Sequence, residues 1–391
     1  MTGTLARRFT HGIANPPFGV DWTKVERAVR DEHEHQGWAG RFGPGLPRRS
    51  DGQLLFLLHL VSKMRPPEKG GGRVAIVLNG SPLFTGAAGS GESEIRRWLI
   101  ESDLVEAIVG LPEQLFYNTG ISTYVWVLTN RKRPERRGKV QLIDGRDLWS
   151  RMRRSLGEKR RELLDEHVDQ IVALHGDFAE NDRVRILANR EFGYRTITVD
   201  QPLRGHWEIN ASTWDGLEHD RALAKIDVDL RDAIITRLGA LPAARFASEV
   251  ECATALSEAT AEGSHDKPLL HRVAPAVLRA VTARCLLRDV DDPVVTTPPR
   301  KGLDPKPMAD PQRRDTENVP LDEDVEEYLD REVRPFVSGA WTDDAEGKIG
   351  YEVPFSRLFH RPARVRPIEE VRAELLALEQ EVRELLVDGI T

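Results

Sequence analysis

The stretch "FTHGIANPPFGVDW", residues 9–22, joins a short and mostly apolar run to a rigid polar corner. The apolar run "FTHGIA" predicts the end of a buried strand. The corner that follows is Asn15-Pro16-Pro17-Phe18, whose two prolines fix the backbone φ angle and lack an N–H group. The sequence therefore predicts a strand that stops abruptly and presents carbonyl groups beside an amide and an aromatic ring. The structural alternative is a plain turn, because Asn-Pro commonly opens one.

The chemistry of this corner suits a flat group that carries an NH2. The amide oxygen of Asn15 and the carbonyl oxygen of Pro16 are two acceptors for the two N–H protons, and they would direct the nitrogen lone pair outward toward an electrophile. Phe18 offers a ring that stacks on the plane of the substrate. This arrangement favours methylation of an amino group, which needs no base of high pKa because the proton can leave after the nitrogen has become tetrahedral.

Downstream of the corner, apolar runs alternate with helical patterns. The predicted helices cover residues 51–64, capped by Ser50 or Asp51, and residues 93–103, capped at Ser93. The predicted buried strands are residues 73–80, 104–112, 120–130 and 139–145. Such alternation is typical of a parallel α/β sheet. The basic turn between the last two strands predicts an antiparallel hairpin at the edge of that sheet.

Beyond residue 150 the pattern becomes mainly helical. We expect a helix over residues 158–178, one strand pair within 183–203, and a further helix over 322–336. Seven prolines between residues 293 and 320 predict a linker. The predicted domains are a partial catalytic domain (1–150), a mainly helical region with a small strand pair (151–292), the linker (293–320) and a C-terminal helical region (321–391).

The last helix, residues 367–388, has the most regular pattern in the chain. Its apolar residues alternate in steps of three and four, which is a heptad seam: Ile368, Val371, Leu375, Leu378, Val382 and Leu385. The seam is too short to be stable alone in water, so it must pack on another helix, either of this chain or of a partner subunit.

Composition favours a cytoplasmic protein that contacts nucleic acid. No apolar run approaches the roughly 18 residues of a membrane span. The only cysteines, Cys252 and Cys285, have no spacing typical of a metal site and suit a reducing compartment. The chain has a net charge of −7, yet residues 131–161 carry 13 Lys and Arg against 4 Asp and Glu. This basic strip suits the phosphate backbone of DNA, or else it is a solvated surface.

Five stretches of the chain resemble the modification (M) subunit of Type I restriction-modification systems, a DNA adenine-N6 methyltransferase. They begin with "IANPPFG" and include "MRRSLGEKRREL". The others are a run from "NGSPLF" to "VLTNRK" (79–132), "DTENVPLDEDVEEYLDREVRPFV" (315–337) and "KIGYEVPFSRLF" (348–359). The resemblance implies a Rossmann-like methyltransferase sheet and S-adenosylmethionine as methyl donor. It also implies three partners: DNA, a specificity (S) subunit that receives the last helix, and a restriction (R) subunit in the full complex.

The resemblance also implies roles for single residues. Asn15, Pro16, Pro17 and Phe18 would be the catalytic motif. Asn15 and Pro16 would bind the amino group of an adenine flipped out of the duplex, and Phe18 would stack on its ring. Phe116, or Tyr117 beside it, would be a second aromatic against that base. Residues of the basic strip would contact the DNA backbone: Arg153, Arg154, Lys159, Arg160 and Arg161.

One departure from the family concerns the cofactor. The family binds it on strands upstream of Asn-Pro-Pro-Phe, through a Gly-rich turn and an acidic residue, whereas 14 residues precede Asn15 here. We read the Gly-rich stretch at 86–93 as a loop rather than a cofactor turn, because its spacing differs. The expectation is a C-terminal part of a modification subunit that binds S-adenosylmethionine poorly alone and leaves one sheet edge unpaired.

Two other functions remain open at this point. The first is a DNA-binding or assembly component without catalysis, which uses the basic strip and the heptad helix. The second is methylation of another planar amine, either a glutamine amide of a protein or a base of RNA, since each presents an NH2 on a flat group.

Overall fold

The computed structural model describes residues 7–117, 119–261, 268–297, 304–360 and 367–388, apart from the side chains of 381 and 384–388. The chain divides into two compact units. The first unit extends to Phe192 and includes the segment from Tyr351 onward, and the second is Gly193–Gly350. The boundaries therefore fall at other positions than the predicted 150, 292 and 320.

The first unit contains a central sheet and its helices. In chain order its elements are β1 (His11–Ala14), α1 (Glu26–Gln36), α2 (Gln53–Ser62), β2 (Arg73–Asn79), α3 (Ser81–Phe84), α4 (Gly91–Glu101), β3 (Val105–Leu111), β4 (Thr123–Thr129), β5 (Lys139–Asp144), β6 (Ser150–Leu156), β7 (Lys159–Glu162), α5 (Asp165–Asp177) and β8 (Val184–Ala188).

The second unit mixes short strands and helices. Its elements are β9 (Gly193–Val199), β10 (Gly205–Ile209), α6 (Val228–Gly239), β11 (Ala244–Phe246), α7 (Glu249–Ala259), α8 (Pro275–Arg284), β12 (Leu286–Arg288), β13 (Asp315–Pro320), α9 (Val325–Tyr328) and β14 (Lys348–Tyr351). A π-helical turn continues α9. Two further helices lie in the C-terminal segment that belongs to the first unit, α10 (Phe355–Leu358) and α11 (Ile368–Asp388).

The central sheet has the strand order β1-β2-β4-β3-β5-β8, which confirms the α/β class. β1, β2, β3 and β5 run in one direction, whereas β4 and β8 run in the other. The carboxyl ends of four strands therefore meet at one edge, here called the carboxyl edge. The predicted β4–β5 hairpin is wrong. β3 is buried along its whole length and pairs with β4 on one side and β5 on the other.

β1 is an exposed edge strand, so the prediction of a buried strand is wrong. Among the described residues it pairs only with β2, and Ile13 is 88% exposed. In β2, Val74, Ile76 and Leu78 are buried and alternate with half-buried residues, so one face of the sheet packs fully while the other is partly open. On the open face, an apolar groove of about 370 Å³ separates α5 from β4 and β3.

A buried ion network closes the opposite, amino edge of the sheet. Glu106 on β3 is 2% exposed and contacts Arg73, with His175 Nε2 3.2 Å and Arg136 Nε 3.8 Å from its carboxylate. Burial raises the pKa of Glu106, but His175 and Arg73 outweigh it and hold the pKa at about 2. Lys132 is also buried, 2.6 Å from an Asp103 oxygen. Part of the basic strip is therefore structural and turned away from solvent.

The end of the basic strip, from residue 150, forms a β-hairpin, β6–β7, whose second strand covers the start of the helix predicted over 158–178. The turn contains Gly157 at a φ of 61°, a conformation that glycine adopts without strain. Helix α5 begins only at Asp165. The predicted strand pair within 183–203 is also wrong, because β8 joins the central sheet whereas β9 lies in a sheet of the second unit.

The second unit contains two three-stranded sheets, in the orders β11-β10-β12 and β13-β9-β14. Helices α6, α7 and α8 pack around the first of these, with Cys252 and Cys285 fully buried as free thiols. The described part of the predicted linker is integrated into this unit. Val295 is buried and its carbonyl accepts from Met308 N at 2.9 Å, while β13 pairs with β9 along six residues.

The structure confirms the last helix, α11, within the predicted bounds. Every side chain of α11 that the structure describes is exposed, including Ile368, Leu375 and Leu378 of the heptad seam. Within the described residues, no helix combines the length and apolar character needed to cross a membrane.

Candidate functional site

The Asn15–Phe18 corner lies at the carboxyl edge of the central sheet. β1 pairs in parallel with β2 up to Ala14 opposite Ile76, and the corner follows at once. Pro16 is buried, Phe18 is half-buried and Asn15 is exposed. The prolines end the strand, as predicted, and the corner holds the amide of Asn15 in solvent above a fixed backbone.

Two aromatic rings meet at this corner. Phe116, in the loop after β3, packs edge to face on Phe18 with ring centroids 5.8 Å apart and an interplanar angle of 79°. The chain around Phe116 makes a bridge to Thr119. The sequence left Phe116 and Tyr117 as alternatives, and the structure places Phe116 against Phe18. The two rings and Asn15 form an aromatic corner with a polar acceptor.

The β6–β7 hairpin holds the loop that carries Phe116. The Gln114 carbonyl accepts from the N–H groups of Arg160 and Arg161 at 3.0 and 3.2 Å. Gln114 has a φ of 58°, an uncommon conformation for a side chain-bearing residue, which these bonds help to impose. The loop that carries Phe116 is therefore held in place by the β6–β7 hairpin as well as by the central sheet.

Five basic residues of this hairpin were predicted to contact DNA. Arg153, Arg154 and Arg160 are exposed, whereas Lys159 and Arg161 are half-buried against aromatic rings. The Arg161 guanidinium carbon lies 4.0 Å from the centroid of the Trp149 ring. The structure thus brings a basic surface to the same edge as the aromatic corner.

A polar network next to the corner was not anticipated from the sequence. Asp51 is 9% exposed and accepts from Gln53 Nε2 at 2.9 Å and from the Ser81 hydroxyl. Asn79, at the end of β2, donates its N–H to Gln53 Oε1 at 2.9 Å, and the N–H of Gly52 donates to Val20 O. The network thereby fixes both β2 and the chain after Phe18. The only sequence signal was polar residues at the start of an otherwise apolar helix.

The Gly-rich loop at 86–93 does not fit S-adenosylmethionine. A Cβ at Gly91 would lie 1.8 Å from the Leu46 carbonyl oxygen, and one at Gly86 would lie 2.3 Å from the Ser90 hydroxyl. The loop is thus filled by its own chain. Its hydroxyl cap comes from Ser90, which accepts from Ser93 N at 3.3 Å, rather than from Ser93. Elsewhere on the carboxyl edge, the Asp144 carboxylate is occupied by Arg146 at 2.7 Å. Neither the Gly-rich loop nor Asp144 therefore offers a fitting site for this cofactor.

Comparison with known proteins supports the resemblance. The family model described as N-6 DNA methylase matches residues 4–192. Two relatives come from Methanocaldococcus jannaschii. The Type I restriction enzyme MjaIX methylase subunit is 29% identical over 214 residues, covering 54% of this chain and 35% of that protein. The MjaVII methylase subunit is 36% identical over 221 residues, covering 56% and 34%. The chain thus spans about a third of the length of these relatives.

A solved structure, the type I restriction-modification methyltransferase subunit from Streptococcus thermophilus, is 25% identical to this chain. It aligns over 48% of this chain and 36% of its own, with a TM-score of 0.39. A score this low adds nothing to the assignment, which depends on the sequence matches. The family model, which matches residues 4–192, spans the corner, the Phe116 loop, the hairpin and the central sheet to its last strand. Residues 4–192 of this chain thus match the N-6 DNA methylase family model, and about half of the chain is similar to Type I restriction methylase subunits.

Proposed function

We propose that this chain carries the target-base side of a DNA adenine-N6 methyltransferase, as part of the modification subunit of a Type I restriction-modification system. The observation that carries the proposal is the meeting of Asn15, Pro16, Phe18 and Phe116 at the carboxyl edge. These four residues come from two separate segments, the corner after β1 and the loop after β3, and Phe18 and Phe116 pack together there. A cytoplasmic location, where the DNA is modified, is part of the same proposal.

The acceptors at the corner would orient the adenine amino group. Asn15 Oδ1 and the Pro16 carbonyl would each accept one N6–H, which leaves the nitrogen lone pair directed away from both. Because Pro16 is buried and Pro17 follows it, the carbonyl is held by a stiff backbone. Such preorganised acceptors favour the geometry of attack without a rearrangement during the reaction.

The aromatic rings would hold the base itself. An adenine inside a duplex cannot reach this corner, so it must leave the base stack. Phe18 and Phe116 present apolar surfaces that replace the stacking lost in the duplex, a contribution of about 1–3 kcal/mol per base. The network around Asp51 and Gln53 would keep the strand ends beneath these rings in place.

The methyl donor would be held away from the Gly-rich loop and Asp144, since the loop is filled by its own chain and the carboxylate is occupied by Arg146. The open edge of β1 and the open face of the sheet agree with such an arrangement.

The exposed arginines of the β6–β7 hairpin would contact the DNA backbone. Reversal of Arg153, Arg154 and Arg160 to glutamate should weaken DNA binding and lower the slope of log K against log salt by up to about 3, since each lost phosphate contact removes about 0.9. The measurement is fluorescence anisotropy with duplex DNA between 50 and 200 mM salt. Reversal of the exposed residues Arg131 and Arg133 at the amino edge is the control and should leave the slope intact. An unchanged slope in the hairpin variant would show that the hairpin is only a solvated surface.

The heptad seam of α11 would bind a helix of the specificity subunit, and the restriction subunit would join that complex. Leu375→Asp with Leu378→Asp, like deletion of residues 367–391, should abolish co-purification of the partner, because both leucines are more than half exposed and available. Ala373→Asp with Ala377→Asp changes the other side of the helix by the same charge and should not affect assembly. Retention of the partner by the leucine variant would contradict this role.

Genome sequencing tests the proposed function. Single-molecule sequencing should show N6-methyladenine at one sequence motif in the host strain, its disappearance on deletion of the gene, and its return on complementation. A deletion that leaves every N6-methyladenine motif unchanged would refute the proposal. The same experiment supplies the recognition sequence for assays in vitro.

A further inference from the structure

Tyr117 lies next to Phe116 but on the other side of the loop. Phe116 bridges to Thr119, and Tyr117 follows it in a turn. Phe116 packs on Phe18, whereas Tyr117 is 58% exposed and contacts the hairpin, with Lys159 Nζ 5.3 Å from its ring centroid. Tyr117 is therefore outside the corner that would hold the flipped base.

The turn of the β6–β7 hairpin fixes the backbone of Tyr117. The Tyr117 carbonyl accepts from the N–H of Glu158 at 3.0 Å. A Cβ on Gly157 would lie 2.9 Å from that carbonyl, so the turn approaches as closely as a glycine allows. An exposed aromatic ring is thus held on a constrained backbone between the base corner and the basic hairpin.

We propose that Tyr117 enters the duplex and stacks in the gap that the flipped adenine leaves, against the orphaned partner base. This inference rests on the proposed function. In this proposal the DNA backbone lies on the hairpin arginines and the flipped adenine reaches Phe18 and Phe116. The gap that the adenine leaves in the duplex would then lie on the outer side of the loop that carries Phe116. Tyr117 is the exposed aromatic ring on that side of the loop, and Lys159 beside it can neutralise an adjacent phosphate.

The energetic need for such a residue is general. Flipping breaks one base pair and two stacking contacts, at a cost of a few kcal/mol, and the cost is lower when the base is already unpaired. A ring in the gap recovers about 1–3 kcal/mol of stacking. Its contribution should therefore depend on whether the target adenine is paired, whereas the contribution of Phe18 should not.

The test compares two duplexes with the modification complex as purified from its host. Both carry the mapped recognition sequence, and in one the thymine opposite the target adenine is replaced by an abasic site. Tyr117→Ala should slow methylation of the paired duplex by about tenfold or more and leave the abasic-partner duplex within about twofold of wild type. Tyr117→Phe should match wild type on both duplexes, since the ring rather than the hydroxyl is required.

Two controls separate this inference from the proposed function. Phe18→Ala should slow both duplexes equally, and Phe336→Ala, at an aromatic residue 84% exposed in the second unit, should slow neither. An equal loss on both duplexes for Tyr117→Ala would place Tyr117 in the base pocket, and no loss on either would remove it from base flipping. Both results would overturn the inference while leaving the proposed function standing. Absence of methylation by the wild-type complex would instead reject the proposed function and the inference together.

Discussion

We expect Asn15→Ala to lower the rate of methyl transfer to DNA by about 100-fold or more, because it removes one of two acceptors that orient the amino group. The Asn15 side chain is exposed and ends no helix, so the same variant should unfold at the temperature of the wild type. The measurement is a single-turnover rate on a duplex that carries the recognition sequence, with thermal unfolding recorded in parallel.

Asn15→Asp sharpens this prediction. Aspartate retains an oxygen acceptor at the same place, so part of the activity should return, whereas a purely structural role for the amide would give two equally inactive variants. An Asn15→Ala enzyme with wild-type rates would show that the corner is a turn without a catalytic role. The rate difference between Ala and Asp thus reports on the acceptor itself.

The second large effect concerns stability. Glu106→Gln should destabilise the first unit by about 3 kcal/mol or more, because it leaves Arg73 and Arg136 without their buried counter-charge. The pKa of Glu106 in the folded protein is about 2, against an ordinary value of 4.5. Since the folded-state pKa is the lower one, this stabilisation is present above pH 4.5 and is lost as the pH falls toward 2.

Urea unfolding of the wild type and of Glu106→Gln at several pH values between 2 and 7 measures this contribution. The difference between the two proteins should be largest at neutral pH and shrink as the pH falls below 4.5. Glu135→Gln, at an exposed residue of the turn before β5, is the matched control and should unfold like the wild type. If the difference in free energy of unfolding between the wild type and Glu106→Gln is constant across this pH range, the lowered pKa of Glu106 is contradicted.

The local chemistry of the Asn15–Phe18 corner follows from adjacent residues, whereas the topology of the sheet does not. The chemistry of Asn15-Pro16-Pro17-Phe18 is local, since four adjacent residues determine the stiffness, the acceptors and the ring. The central strands were predicted for the same local reason, as continuous apolar runs such as β3. Strand order is a long-range property. In the sheet β3 lies between β4 and β5, and the residues of the turn that joins β4 to β5 do not indicate this insertion.

Two other features escaped prediction because their meaning depends on partners far along the chain. The basic strip reads as one surface, yet Lys132 and Arg136 are buried in ion contacts at the amino edge, while Arg153 and Arg154 lie on the hairpin. The pattern of charged residues over 158–163 is compatible with a helix or with a strand. The backbone hydrogen bonds from Arg160 and Arg161 to Gln114, in the loop that carries Phe116, favour the strand. The network of Asp51 and Gln53 likewise forms only when β2 lies beside α2.

The identity of the methylated product tests the central claim most directly. The wild-type complex would be incubated with duplex DNA and S-adenosylmethionine deuterated on the methyl group, and the digested nucleosides would be separated and weighed by mass spectrometry. We expect the deuterated methyl group on N6 of adenine, and its absence with Asn15→Ala. Label on another atom of the DNA nucleosides, or on none of them, would contradict the account.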